Sequence, residues 1–225
     1  IGFDILHRLQ QGDKKALEAL GIGELPKGFD PTKVEWGLAK MRDSDQYFIV
    51  GPNKGDTMDI DWEAIDDFAE PVAHTHPLID PMRGPRLLKP VAGSQRLDDI
   101  LTDNDNLTLL FPSAADLHFF FHSGFKSRKH RVFTPYYLDL DTGDILNRAT
   151  GPRSKRIDIE FELPEAHGTL PGLQASPVWK AKAHILVDGK SVKEVDIFAS
   201  VIQAEKVIQY IGVKPPPGMK GIFEP

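Results

Sequence analysis

The chain has 225 residues, 40% of them hydrophobic and 27% charged, which suits one large globular domain or a core with an appendage. Its net charge of −6 argues against a general nucleic-acid binder, which carries a basic face. With no cysteine, disulfides, cysteine nucleophiles, thiolate zinc sites and the zinc-deaminase pattern are excluded.

In residues 3–20, Phe3, Leu6, Leu9, Ala16, Leu17 and Leu20 recur at helical spacing, and Gly12-Asp13 is predicted to break the helix in two. Gly21, Gly23, Pro26 and Gly28 read as a connector, and residues 34–41 as a short element. Residues 47–50 and 57–60 flank Gly51-Pro52-Asn53-Lys54-Gly55 as the arms of a hairpin. Residues 62–68 read as a helical turn, 71–74 as a strand, 107–111 as a buried strand, and 113–121 as a helix capped by Gly124. The basic run Lys126-Ser127-Arg128-Lys129-His130-Arg131 reads as a solvated loop. Residues 132–140 and 145–148 form a second hairpin around Asp141-Thr142-Gly143-Asp144.

Beyond residue 150 the pattern changes. Residues 157–163 alternate as a half-buried strand does, and 164–177, rich in Pro and Gly, read as a loop. Residues 179–187 and 191–198 flank Asp188-Gly189-Lys190, a strong hairpin signal. Val201, Ile202, Val207, Ile208 and Ile211 give residues 199–211 helical spacing, and the tail from Pro215 reads as extended. The expected fold is α+β, a mixed sheet flanked by helices, with an extra C-terminal β-hairpin and helix. The expected organisation is an N-terminal helical segment (1–29), a core (30–150) with an insertion (78–106), and a β-rich extension (151–225). No apolar run approaches a membrane span and no signal peptide is visible, so a soluble protein is expected, cytoplasmic or exported. The start at Ile1 rather than Met admits an excised domain or a processed piece of a larger protein.

Two short motifs carry chemistry. In His74-Thr75-His76-Pro77 an extended backbone points both imidazoles to one face, and Pro77 ends the segment. In Pro112-Ser113-Ala114-Ala115-Asp116, Ser113 fits a helix N-cap and Asp116 the reciprocal capping position, where the helix dipole keeps a carboxylate ionised. Two imidazoles, a carboxylate and a hydroxyl make a hydrolytic zinc site with one position open. Taken singly, His-x-His is often polar surface and Ser-x-x-Asp a plain helix start. His118 and His122 share a helix face, but the phenylalanines between them favour a packing or surface role. His184 reads as a cross-strand surface residue.

These residues resemble the JAMM (JAB/MPN) metalloprotease family, whose pattern is an upstream Glu, His-x-His-Pro, and Ser-x-x-Asp. His74, His76, Pro77, Ser113 and Asp116 match it letter for letter, and the resemblance covers roughly residues 30 to 150. It implies a cytidine-deaminase-like sandwich, Zn2+ held by His74, His76 and Asp116 with a water as fourth ligand, an upstream Glu as general base, and Ser113 steadying the tetrahedral intermediate. Glu35 is the candidate base, although Trp36 separates it from Gly37; Glu24, Glu63 and Glu70 compete, with Glu70 read as a solvated carboxylate at a helix end. The long stretch between His76 and Ser113 departs from the family, so residues 78–106, with Arg83, Arg86, Lys89 and Arg96, read as a substrate-contacting loop or lid. The implied function is zinc-dependent hydrolysis of peptide or isopeptide bonds in a protein or peptide substrate, ubiquitin-like proteins among them. The implied setting is a deubiquitinase-like isopeptidase or a bacterial effector or toxin domain. The alternatives are a non-catalytic MPN-like scaffold and a metal-dependent phosphoesterase or nuclease.

Overall fold

The computed structural model describes residues 2–21, 27–52, 60–122, 129–162, 165–171, 176–203 and 207–219. The protein is a mixed α+β fold, and the chain divides into two compact units: residues 1–87 with 131–135, and residues 88–130 with 136–225. Among the described residues no helix is long and apolar enough to cross a membrane.

The first unit opens with two helices, α1 (Gly2–Gln10) and α2 (Lys14–Ala19). Gly12, at φ +73°, makes the break between them, and the Asp13 side chain caps α2 by accepting from the Lys15 N–H. Leu6, Leu9, Ala16 and Leu17 lie on the buried faces and pack with Trp36, Leu38, Ala73 and Phe133. A 3-10 turn at Pro31–Lys33 leads into β1 (Gly37–Met41), which turns back as β2 (Tyr47–Val50), Lys40 opposite Tyr47. The expected partner arm for β2, residues 57–60, lies almost wholly outside the described residues. A 3-10 turn at Glu63–Ile65 precedes β3 (Ala69–Thr75), antiparallel to β1 on its other side. Ala73, His74 and Thr75 then pair in parallel with Arg131, Val132 and Phe133, which belong to the later strand β6 (Lys129–Asp139). After His76 a small hairpin forms from β4 (Ile79–Asp80) and β5 (Gly84–Pro85).

Among its described residues the second unit holds three helices, α3 (Leu97–Ile100), α4 (Asn104–Leu110) and α5 (Ala114–His122). The end of β6 pairs with β7 (Ile145–Leu146), as the second hairpin reading expects. The remaining strands are β8 (Ser154–Glu162), β9 (Glu165–Leu170), β10 (Ser176–Val187), β11 (Lys190–Gln203) and β12 (Val207–Gly212). Their order is β12-β11-β10-β8, with β9 also paired to β10. Asp188 and Gly189, at φ 50° and 75°, make the tight turn between β10 and β11, with Val187 opposite Lys190. Trp179, Ala181, Ala183 and Ile185 face inward along β10, and His184, half-exposed, stands directly opposite Glu160 and Glu194.

Five expectations are corrected. Residues 107–110 belong to helix α4, with Phe111 as its C-cap, not to a strand: the Asp103 carboxylate caps that helix through the Asn106 N–H, and Asn106, Leu107 and Leu110 form its buried face. Residues 199–203 and 207–211 are not helical but belong to the end of β11 and to β12, Ala199 pairing with Ile211. Residues 165–170, expected in a loop, form β9, with Leu170 opposite Ser176. Residues 78–106 are not one loop: their first part carries β4 and β5, and their second carries α3 and buries Leu88, Leu97, Ile100 and Leu101. From Lys129 onward the basic run is strand β6, not solvated loop, with the His130 ring buried 4.7 Å from Phe120 and 5.3 Å from Phe161 between centroids. Glu24, Gly124, residues 126–128 and the side chains of His118 and His122 lie outside what is described.

Candidate metal centre

Two neighbouring segments of the first unit build the site. The Asp30 carboxylate caps the 3-10 turn at Pro31–Lys33 by accepting from Thr32, and Val34 then returns the backbone to an extended course through Glu35 and Trp36 into β1. The Trp36 indole N–H donates to the Pro31 carbonyl at 3.0 Å and holds that corner. On β3, the Thr75 N–H donates to the Trp36 carbonyl at 2.9 Å, and the Trp36 N–H donates to Thr75 Oγ1 at 3.0 Å. Thr75, wholly buried between the two histidines, therefore locks their strand to the residue after Glu35.

Alternation along the strand sends His74 and His76 to the same side. Their Nε2 atoms stand 3.1 Å apart, and Glu35 Oε1 lies 3.9 Å from His76 Nε2. Ligand atoms of all three residues fall within 4.8 Å of one another. The three residues are 8%, 0% and 3% exposed in chain order. Trp62, itself buried, packs against His74 with the two rings steeply inclined and their centroids 6.3 Å apart. Burial, with a smaller push from Arg86, moves the His74 pKa down to about 3, so its imidazole is neutral near pH 7 and offers a lone pair.

The arrangement fits a cation. Two imidazole nitrogens at about 2.0–2.1 Å from one tetrahedral zinc lie roughly 3.3–3.4 Å apart, close to the 3.1 Å between the two Nε2 atoms. A carboxylate beside two imidazoles supplies a negatively charged partner of the kind a buried cation requires. The buried Glu35, His74 and His76 group could therefore hold a metal ion.

Compared with family models, with curated proteins and with solved structures, the chain matches none.

Ser113 and Asp116 belong to the second unit, at the start of α5. They form the reciprocal cap that their spacing predicts: the Asp116 N–H donates to Ser113 Oγ at 3.0 Å, and the Ser113 N–H donates to Asp116 Oδ2 at 3.2 Å. The structure thus brings Glu35 together with the histidine pair, and Ser113 together with Asp116. Of the competing carboxylates, Glu63 stands on its own 3-10 turn. Glu70 is corrected: it is neither solvated nor at a helix end, but buried inside β3 opposite Lys40. Trp62, Thr75 and Gln10, whose amide reaches the His76 carbonyl, escaped the sequence reading. Only the Thr between the two histidines carries a signal, a β-branched residue placed where a strand faces inward.

Proposed function

We propose that this chain is a zinc-dependent hydrolase of peptide or isopeptide bonds, of the JAMM type, acting on a protein or peptide substrate. The observation that carries the reading is the pair of buried Nε2 atoms 3.1 Å apart with the Glu35 carboxylate 3.9 Å from one of them. The order of Glu35, His74-x-His76-Pro77 and Ser113-x-x-Asp116 along the chain supports it. His74 and His76 would hold the ion, and the sequence pattern assigns Asp116 as the remaining protein ligand. A zinc ion held there supplies Lewis acidity and lowers the pKa of a bound water to about 7. Glu35 takes the water's proton and passes it to the leaving amine. Ser113 accepts the Asp116 N–H through an oxygen lone pair, and its hydroxyl proton is the hydrogen-bond donor offered to the developing oxyanion.

One feature favours a second reading, in which Glu35 is itself a ligand: its carboxylate stands within ligand spacing of both histidines. Elemental analysis of purified Glu35→Gln separates the two roles. As general base, the variant keeps its zinc and loses about 10²–10⁴-fold in turnover; as ligand, it loses the metal. Asp116→Ala is expected to lose zinc. The assays run on ubiquitin-like fusions and peptidoglycan-derived amides, with nuclease and phosphatase substrates beside them. Wild-type protein that takes up no zinc, or that hydrolyses only phosphoesters, overturns the proposal.

A further inference from the structure

Gln10 is the last residue of α1, and its side-chain amide donates to two backbone carbonyls at once, those of His76 and Phe133, each at 2.9 Å. Both acceptors are carbonyls, so the amide nitrogen is the atom that must face them.

The need for this donor is written in β6. β3 and β6 run parallel with Thr75 opposite Phe133, and the His76 N–H reaches the Phe133 carbonyl at 2.9 Å. Rungs of a parallel ladder are evenly spaced and alternate in direction. The next rung would run from the N–H of residue 135 to the carbonyl of His76. Residue 135 is proline and has no N–H. His76 is only 3% exposed, so solvent does not replace the missing donor. Gln10 reaches in from outside the sheet and fills that place, and its second bond ties the same point to Phe133.

We propose that Gln10 is a positioning residue of the metal centre: its amide stands in for the ladder donor that Pro135 lacks and so fixes the backbone that aims the His76 imidazole. The inference rests on the reading of Glu35, His74 and His76 as a metal site. A ligand at the frayed end of a strand would otherwise swing with its carbonyl. A partner that orients a ligand without touching the ion is worth about 10–100-fold in metal affinity.

The test uses the full chain, titrated with cobalt(II) and with zinc against a chromophoric chelator. Gln10→Glu keeps the shape of the side chain but sets a second acceptor against two carbonyls. Gln10→Leu removes the donor altogether. Both are expected to bind cobalt about 10–100-fold more weakly than wild type and to shift its visible absorption bands. Adding Pro135→Ala to Gln10→Leu returns an N–H to the ladder, and affinity and spectrum are expected to return toward wild type. Wild-type affinity and bands in both single variants, with only the melting temperature lowered, reduce Gln10 to a structural residue and overturn the inference. Loss in the single variants without rescue by Pro135→Ala overturns the ladder argument. Failure of wild-type protein to bind either ion sinks the metal reading itself, an outcome distinct from the other two.

Discussion

Gly37 sits where two pressures meet. It pairs with His74 across the β1–β3 ladder, and a Cβ added there would lie 2.7 Å from Trp62 Cη2 and 2.9 Å from Ile60 Cδ1. Trp62 cannot yield freely, because it is buried and packed against the His74 ring. Gly37→Ala is therefore expected to cost about 1–3 kcal/mol in denaturant unfolding and to weaken metal uptake. An alanine variant as stable as wild type would mean that Trp62 is free to move. At this scale the sequence was informative for the histidine pair, because period-2 alternation places i and i+2 together whatever lies around them. Glu35 could be found through the family resemblance, whose pattern asks for a Glu upstream of the histidine pair and close before a Gly. Glu70 was misread because β3 begins at Ala69 and draws it inside, which no local signal announces. Gln10 and Trp62 were invisible, since each acts through a contact with a residue distant in the chain.

At the level of elements, α4 shows why a short apolar run is ambiguous. Residues 107–111 are mostly apolar and carry no periodicity that distinguishes a buried strand from the end of a buried helix. The deciding residue is Asp103, four positions upstream, whose carboxylate accepts the Asn106 N–H and starts a helix. Asp103→Ala is expected to lower stability by about 1 kcal/mol in thermal unfolding, and a neutral result would remove the cap from the account. The β11–β12 region fails in the opposite sense. Its apolar residues happen to fall at helical intervals, yet they are Val and Ile, whose branched Cβ atoms suit a pleated sheet. The hairpins around Asp188-Gly189 and residues 141–144 were legible because a tight turn needs particular residues at particular φ values, and those needs are local. β9 was not, because its Pro- and Gly-rich surroundings resemble a loop and only its pairing with β10 makes it a strand.

For the molecule as a whole, Glu35, His74 and His76 all lie within the first unit. An ion that binds the folded first unit and not its unfolded chain stabilises it by mass action, about 2.7 kcal/mol at a hundredfold excess over Kd. Trp36 and Trp62 report on this unit and Trp179 on the other, so Trp179→Phe confines tryptophan fluorescence to the first unit. Adding zinc to chelator-treated Trp179→Phe protein is expected to raise the midpoint of the fluorescence transition, and an unmoved midpoint would count against zinc binding.

The first unit is discontinuous in the chain: it takes residues 1–87 and then, only after the stretch 88–130, residues 131–135. Synthesis runs from the N-terminus, so the ribosome releases the histidine pair well before the strand that steadies it. Until Phe133 emerges, the His76 N–H has no carbonyl to meet and the Gln10 amide lacks one of its two acceptors. A nascent chain halted before residue 133 carries every donor atom of the centre described in this unit but not the ladder that aims one of them. If the centre holds an ion as proposed, the ladder that aims His76 is completed only after that point in translation, and the timing is set by chain connectivity rather than by the site's own residues.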